Sequence, residues 1–465
     1  MKIKYIDLVE QTFDWPQEEF HLENKQLTFH NIPMMDLVEK YGSPLRVSYL
    51  PKIGENIHRA RKWFADAQKK HNYDGDYHYC YVTKSSHFRF VLEEAIKNGA
   101  HIETSSAFDL DIVRSLEKDG VMNKQHRILC NGFKREGYVE RIASMAAEGF
   151  ENVLPVIDNE FELDLIEKNL TTKIDVGIRI ASEEEPKFEF YTSRLGIGYR
   201  DIVDCYERRI KPNPNFNLKM LHFFVNTGIN DNAYYWNELN KCMRVYCDLK
   251  KVCPELDSLN IGGGFPVKNS LAFSYDYEYM VDAIIEQIKA SCDEQGIPVP
   301  HIYTEFGSFT VGESGATLFK VVHQKKQNDK ERWNLIDSSF MTTLPDSWSI
   351  NKRFIMLPLN NWDDDYERVF LGGLTCDSDD YYNSEQHINA IYLPKYDKED
   401  PLYIGFFNTG AYQDSLGGFG GIHHCLLPGP KHILIDRNEK GEVEIEIFTE
   451  EQKSEDMLDL LGYKK

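Results

Sequence analysis

Positive charge is scarce in this chain: 53 lysines and arginines face 75 aspartates and glutamates, a formal net charge of −22 over 465 residues. Such a surface repels phosphodiester backbones and anionic lipid, which argues against nucleic acid or a membrane as partner and leaves a small molecule as the expected one. Long apolar runs are missing too. None reaches the roughly 20 residues of a membrane span, and the opening Met1-Lys2-Ile3-Lys4-Tyr5-Ile6-Asp7 has no signal-peptide core, so a cytoplasmic protein is expected. Paired cysteine spacings are also absent. Nine cysteines, an odd number, are scattered with no C-x-x-C pair, which argues against a disulfide framework or structural zinc and makes most of them buried thiols. His423 and His424 adjoin without a matching third ligand and are read as loop or core residues, so no metal is expected. No internal repeat or low-complexity segment occurs, and the acidic runs at 183–185 and 363–365 read as solvated loops.

What the chain does have is a 42% hydrophobic composition and a regular alternation. Its length suits a unit of about 250 residues plus a smaller one. Residues 1–50 read as an opening β segment, a short helix over 35–41 and a return strand at 44–49. Strand-like runs then fall at 77–83, 100–104, 127–131, 153–157, 175–180, 220–225, 258–261 and 301–305, with helical periodicity between most of them. Eight such alternations are what a (β/α)8 barrel requires. After about residue 315 short β-type runs take over, at 316–322, 333–336, 368–371, 390–393, 432–435 and 443–448. The expected organisation is α/β plus β: a barrel over 51–314, and an all-β domain over 315–465 that the N-terminal segment 1–50 joins.

In such a barrel the reactive groups sit where strands end. The first strand ends at Lys84, in Tyr79-Cys80-Tyr81-Val82-Thr83-Lys84-Ser85-Ser86; the second ends near Glu103, the third at Asn131 and the sixth near Phe224. The seventh ends at Gly262-Gly263-Gly264 and the eighth at Glu305. A surface position is the commoner reading of any one such lysine. A buried strand end can instead hold the amine in an apolar, water-poor place, where desolvation lowers its pKa and frees it to attack a carbonyl. A triglycine alone is a tight turn, but after a strand it lets backbone N–H groups approach a phosphate. Together the two point to an aldehyde cofactor bearing a phosphate, pyridoxal 5'-phosphate held by Lys84 as a Schiff base. Glu305 would then face the pyridine nitrogen and keep it protonated.

These residues bring out a resemblance. The chain resembles the fold-type III pyridoxal-phosphate-dependent decarboxylases of basic amino acids, the ornithine, diaminopimelate and arginine decarboxylase family, and within it the biosynthetic arginine decarboxylases. The resemblance is carried by Tyr41-Gly42-Ser43-Pro44-Leu45-Arg46-Val47, the Lys84 stretch, Cys130-Asn131-Gly132-Phe133-Lys134 and Ile261-Gly262-Gly263-Gly264-Phe265. It continues through Leu344-Pro345-Asp346-Ser347-Trp348-Ser349-Ile350, Leu357-Pro358-Leu359, Thr375-Cys376-Asp377-Ser378-Asp379 and Gly410-Ala411-Tyr412-Gln413. It implies Lys84 as the Schiff-base lysine, Glu305 at the pyridine nitrogen, Gly262, Gly263, Gly264 and Tyr412 as phosphate holders, and Glu103 as a carboxylate beside the cofactor. It further implies that Cys376 protonates the α carbon after carbon dioxide leaves and that Asp377 binds the substrate's distal cation. In this family the Cys-Asp pair comes from a second subunit, so a homodimer with shared sites is expected. An acidic residue beside the proton donor suits an amine or guanidinium, and Asp379 and Asp337 add to the same preference for a cationic side chain.

Three departures stand out. Where the family has a histidine against the cofactor's face, in a motif like L-H-F-H, this chain reads Leu221-His222-Phe223-Phe224, so Phe224 takes the stacking position. Where it has E-x-G-R, this chain reads Glu305-Phe306-Gly307-Ser308, and Ser308 brings a hydrogen bond but no charge to the phosphate. The chain is also shorter than typical biosynthetic arginine decarboxylases. The resemblance makes L-arginine the leading substrate; ornithine, lysine, diaminopimelate or a carboxylated polyamine stays open with the same chemistry, and the departures at Phe224 and Ser308 keep open a non-catalytic regulatory homologue.

Overall fold

The structure is a computed structural model that describes residues 3–183, 191–382 and 391–463. Two expectations touch segments outside these residues: part of the acidic run at 183–185, and Ala390 at the start of the run 390–393. The chain forms two compact units, one of residues 53–266 and 275–310, the other of residues 3–52, 267–274 and 311–463 as described.

The first unit is a closed parallel barrel of β1 (Tyr77–Val82), β2 (His101–Thr104), β3 (Ile128–Cys130), β4 (Val153–Ile157), β5 (Ile174–Arg179), β6 (Phe216–His222), β7 (Ser258–Asn260) and β8 (His301–Phe306). The ring closes where β8 pairs with β1, Ile302 opposite Tyr77 through Phe306 opposite Tyr81. Cys80, Leu129, Val156, Met220 and Tyr303 pack into one cluster drawn from five strands. Parallel barrel strands are buried on both faces, hence runs such as Ile128-Leu129-Cys130 with no polar alternation. Helices follow from their own signals. In Tyr277–Gln295 the Asp276 carboxylate accepts from Tyr279 N–H, Gly296 closes the end at φ +64°, and Met280, Val281, Ile284, Ile285, Ile288 and Cys292 form the buried stripe. The expected (β/α)8 barrel is thus borne out.

The second unit is mostly β. Strand Leu45–Tyr49 lies between Gly315–Lys326, antiparallel with Val47 opposite Ala316, and Lys431–Arg437, parallel with Val47 opposite Ile433. The N-terminal segment does join this sheet, as expected. It opens, however, on a helix, Tyr5–Thr12, before the short strands Phe20–Glu23, Gln26–Phe29 and Ile32–Pro33. The unit also carries short helices, among them Phe340–Thr343, Pro345–Ser349 and Ser454–Leu460, and the strands Ile355–Pro358 and Tyr403–Phe407 that sequence patterning passes over. Residues 267–274 go with this unit because the Leu271 carbonyl accepts from Gln17 at 2.8 Å and Lys268 pairs with Glu19 at 2.9 Å. Among the described residues no helix is long and apolar enough to cross a membrane.

Candidate active site

Strand β1 ends in a single 3-10 turn, Thr83–Ser85, in which Thr83 and Ser85 are buried and Lys84 is exposed. The apolar, water-poor place expected for this amine is not what surrounds it. The turn lifts Lys84 out of the strand, and its charge acts on two carboxylates, Glu103 and Glu305.

Glu103, in β2, is fully buried. Burial pushes its pKa up to about 7; the Lys84 charge opposes this and the Glu305 charge adds to it. Glu305, in β8, meets the opposite fate. Its Oε1 accepts from Asn131 Nδ2 at 2.7 Å and Asn260 Nδ2 at 2.6 Å, while His222 Nε2 stands 3.6 Å from Oε2. Burial alone would raise Glu305, but His222, the two amides and Lys84 outweigh it and hold the carboxylate below its ordinary range. Burial lowers His222 to about 4 against the opposing pull of the Glu305 charge.

Strand β7 runs into the glycines. Gly262 has φ +69°, and its N–H donates to Asn260 Oδ1 at 2.9 Å. A Cβ on Gly263 would lie 2.0 Å from the Glu305 carbonyl oxygen, so only glycine lets this loop run against the end of β8. The N–H groups of Gly263 and Gly264 donate to nothing among the described residues. Phe224 is half-buried beside this loop, with the Arg179 guanidinium carbon 5.6 Å from its ring centroid. Gly307 sits so close to the buried Ser85 hydroxyl, which has no hydrogen-bond partner among the described residues, that a Cβ would strike it. Ser308, half-buried, follows and starts the short helix Ser308–Val311. The barrel unit thus gathers Lys84, Glu103, Phe224, Gly262, Gly263, Gly264, Glu305, Gly307 and Ser308 at the carboxyl ends of its strands.

The other named residues lie in the second unit. Cys376 is exposed, with its Sγ 3.5 Å from Cys425 Sγ. Asp377 accepts from Asp379 N–H at 2.9 Å and stands 3.6 Å from His424 Nε2. Asp379 is exposed. The loop is fixed by Asp380, buried and accepting from Thr375 N–H and Oγ1, Ser339 Oγ and Phe340 N–H. Asp337 is occupied within the fold, accepting from Ser43 Oγ at 2.6 Å and Lys320 N–H at 3.0 Å. Tyr412 is half-buried with φ +70°, a left-handed backbone unusual for tyrosine.

Asn260, His222, Arg179, Asp380 and Cys425 escape sequence reasoning. Only Asn260 leaves a trace in the sequence, a polar side chain in an otherwise apolar strand run two residues ahead of Gly262.

Residues 55–312 match the family model described as pyridoxal-dependent decarboxylase, pyridoxal binding domain. The chain is similar to the biosynthetic arginine decarboxylase of Vibrio vulnificus, 21% identical over 95% of this chain and 88% of that protein. It is likewise similar to that of Bacteroides thetaiotaomicron, 23% identical over 91% and 84%. Among solved structures, the biosynthetic arginine decarboxylase of Campylobacter jejuni superposes with a TM-score of 0.80 at 20% identity, covering 97% of this chain and 90% of that one. A diaminopimelate decarboxylase from M. jannaschi gives 0.79 at 17% identity, covering 96% and 98%. The barrel residues fit pyridoxal 5'-phosphate: an amine, an ionised buried carboxylate, a glycine loop that no Cβ could share, two unengaged amides and an aromatic face.

Proposed function

The chain belongs to the pyridoxal-dependent decarboxylase family, and on that premise we propose that it releases carbon dioxide from L-arginine to give agmatine, a step of polyamine synthesis. Pyridoxal 5'-phosphate, when bound, supplies an aldehyde for the substrate amine and a protonated ring that draws electrons from the α carbon. Lys84 would hold the aldehyde carbon. Gly263 and Gly264 would offer N–H groups to the phosphate, with Ser308 adding a hydroxyl. Phe224 would cover one face of the ring. Glu305, held below its ordinary range by His222, Asn131, Asn260 and Lys84, would hold the proton on the pyridine nitrogen. Glu103, poised near neutrality, can hold or release a proton beside Lys84.

The observation that carries the substrate is Asp377 next to the exposed thiol of Cys376, on a loop that Asp380 anchors from within. Cys376 would return a proton to the α carbon, and Cys425 beside it pushes its thiol up, which keeps that proton in place. Asp377, with Asp379, would take the distal guanidinium. The reading includes a cytoplasmic homodimer in which this loop serves the barrel of a second copy; the nine free thiols suit a reducing compartment.

A second reading keeps the chemistry and shortens the substrate or changes its far end. Chain length supports it, since the diaminopimelate decarboxylase is covered almost completely and the arginine decarboxylases less so. Carbon dioxide release from arginine, ornithine, lysine, diaminopimelate and a carboxylated polyamine separates the two. Arginine is expected to lead by at least tenfold; equal rates with diaminopimelate would remove Asp377 as the reader of a distal cation. A Lys84→Ala chain is expected to lose the visible absorption of bound cofactor, whereas Cys376→Ala keeps it.

A further inference from the structure

We propose that Cys376 and Cys425 form a reversible disulfide, a modification site in the mostly-β unit. They are the two exposed cysteines of the chain; the other seven are buried. Their sulfurs stand 3.5 Å apart, so bonding at about 2.05 Å asks for a closure of roughly 1.5 Å. Neither sits on a strand. Cys376 lies in the loop between strands Tyr366–Gly372 and Tyr381–Tyr382, and Cys425 in the turn His424–Leu426.

The pairing is held on both sides. Asp380 pins the first loop through Thr375, Ser339 and Phe340, and the buried His423 pins the second through Nδ1 and the Leu427 carbonyl at 3.1 Å. The next residues along repeat the contact, with Asp377 Oδ2 3.6 Å from His424 Nε2. Cys425 and Leu426 have φ values of +55° and +53°, left-handed backbone that non-glycine residues adopt only under constraint, and this conformation presents the Cys425 thiol to Cys376. The two cysteines are 49 residues apart in sequence, so the bond would close a long loop.

The oxidant is a small-molecule disulfide. One protein thiolate attacks a sulfur of it; the small S–S bond breaks and one small thiolate leaves. The second protein thiolate then attacks the protein sulfur of that mixed disulfide, forming the Sγ–Sγ bond and expelling the second small thiolate. Two protein thiols lose two electrons and two protons, and the small disulfide ends as two thiols. A joined Cys376 has no S–H to give, so oxidation stops turnover; this consequence rests on the role proposed for Cys376, whereas bond formation does not.

The test equilibrates the cofactor-loaded full chain in graded mixtures of oxidised and reduced glutathione, blocks free thiols with N-ethylmaleimide and maps peptides by mass spectrometry beside carbon dioxide release. The expected result is a linked peptide pair holding Cys376 and Cys425, removed by dithiothreitol, with activity falling more than tenfold in step and returning on reduction. Cys425→Ser is expected to give no linked pair at any ratio, with Cys376 carrying only single adducts. Separate maleimide or glutathione adducts on both cysteines at the most oxidising ratio would overturn the proposal. A linked pair with undiminished turnover would sustain the site and remove Cys376 as the proton donor.

Discussion

Asn260 Nδ2 lies 2.6 Å from Glu305 Oε1, between two buried side chains of neighbouring barrel strands, and Asn131 donates to the same oxygen at 2.7 Å. A hydrogen bond to a charged group contributes about 1.5–3 kcal/mol. Asn260→Leu should therefore lower kcat/KM for arginine roughly 10- to 100-fold, since each 1.36 kcal/mol is a factor of ten. The same change lets the Glu305 pKa climb, so the acidic limb of the pH–rate profile should move to higher pH. A variant that loses rate with an unmoved profile would assign Asn260 a packing role alone.

Glu103 gives a pH dependence of the opposite sign to the usual glutamate. Its folded pKa, about 7, is raised above the unfolded value of roughly 4.3. The folded chain therefore binds the proton more tightly, and the stability this contributes is fully present below about pH 4.3 and lost as pH rises through about 7. Across that window the cofactor-free chain should lose stability with a slope of at most about 1.4 kcal/mol per pH unit from this group. Urea midpoints measured between pH 5 and 8 should show the slope, and Glu103→Gln should flatten it.

The barrel is legible because its strands are buried on both faces and each reads as a short apolar run with a break after it. Which side chains point inward is not. Strand β6 carries a register shift between Leu218 and Met220, so counting alternate residues along it does not place His222 against Glu305. Asp377, Asp379 and Asp380 look alike in sequence; the donors Ser339 and Phe340, 41 and 40 residues away, mark Asp380 as the anchor. The helix Tyr5–Thr12 is missed for another reason. Only Tyr5 and Val9 are buried in it, and eight residues are too few to separate a period of 3.6 from one of 2. Lys84 is found from its place after a strand, but its exposure follows from the 3-10 turn, which the strand pattern does not announce.

Lys134 and Glu162 form an ion pair at 3.1 Å with both side chains at 0% exposure. Lys134 Nζ also donates to the carbonyls of Gly132 at 2.9 Å and Val156 at 2.5 Å, and Glu162 accepts from the N–H groups of Lys134 and Asp158. Removing one partner leaves a buried charge, at a cost of about 3–5 kcal/mol. Lys134→Met should lower the urea midpoint of the barrel accordingly. The double change Lys134→Met with Glu162→Leu should recover only part, because the two carbonyls and two amides stay without partners.

Gly263 meets a backbone atom where a side chain would have to go. The Cβ of Gly263→Ala would fall 2.0 Å from the Glu305 carbonyl oxygen, an atom held in β8 that cannot swing aside as a flexible side chain would. Either the loop lifts, withdrawing the Gly263 and Gly264 amides, or β8 shifts and moves Glu305 off Asn131 and Asn260. Both routes weaken cofactor binding, so a fluorescence titration with pyridoxal 5'-phosphate should show at least a tenfold rise in Kd. Gly137→Ala is the matching control. Gly137 lies in the helix Glu136–Ala147, its added Cβ would meet nothing nearer than the Arg141 guanidinium at 3.7 Å, and alanine there should stabilise the chain by about 1 kcal/mol. Cofactor affinity unchanged in both variants would show that the triglycine serves only as a turn.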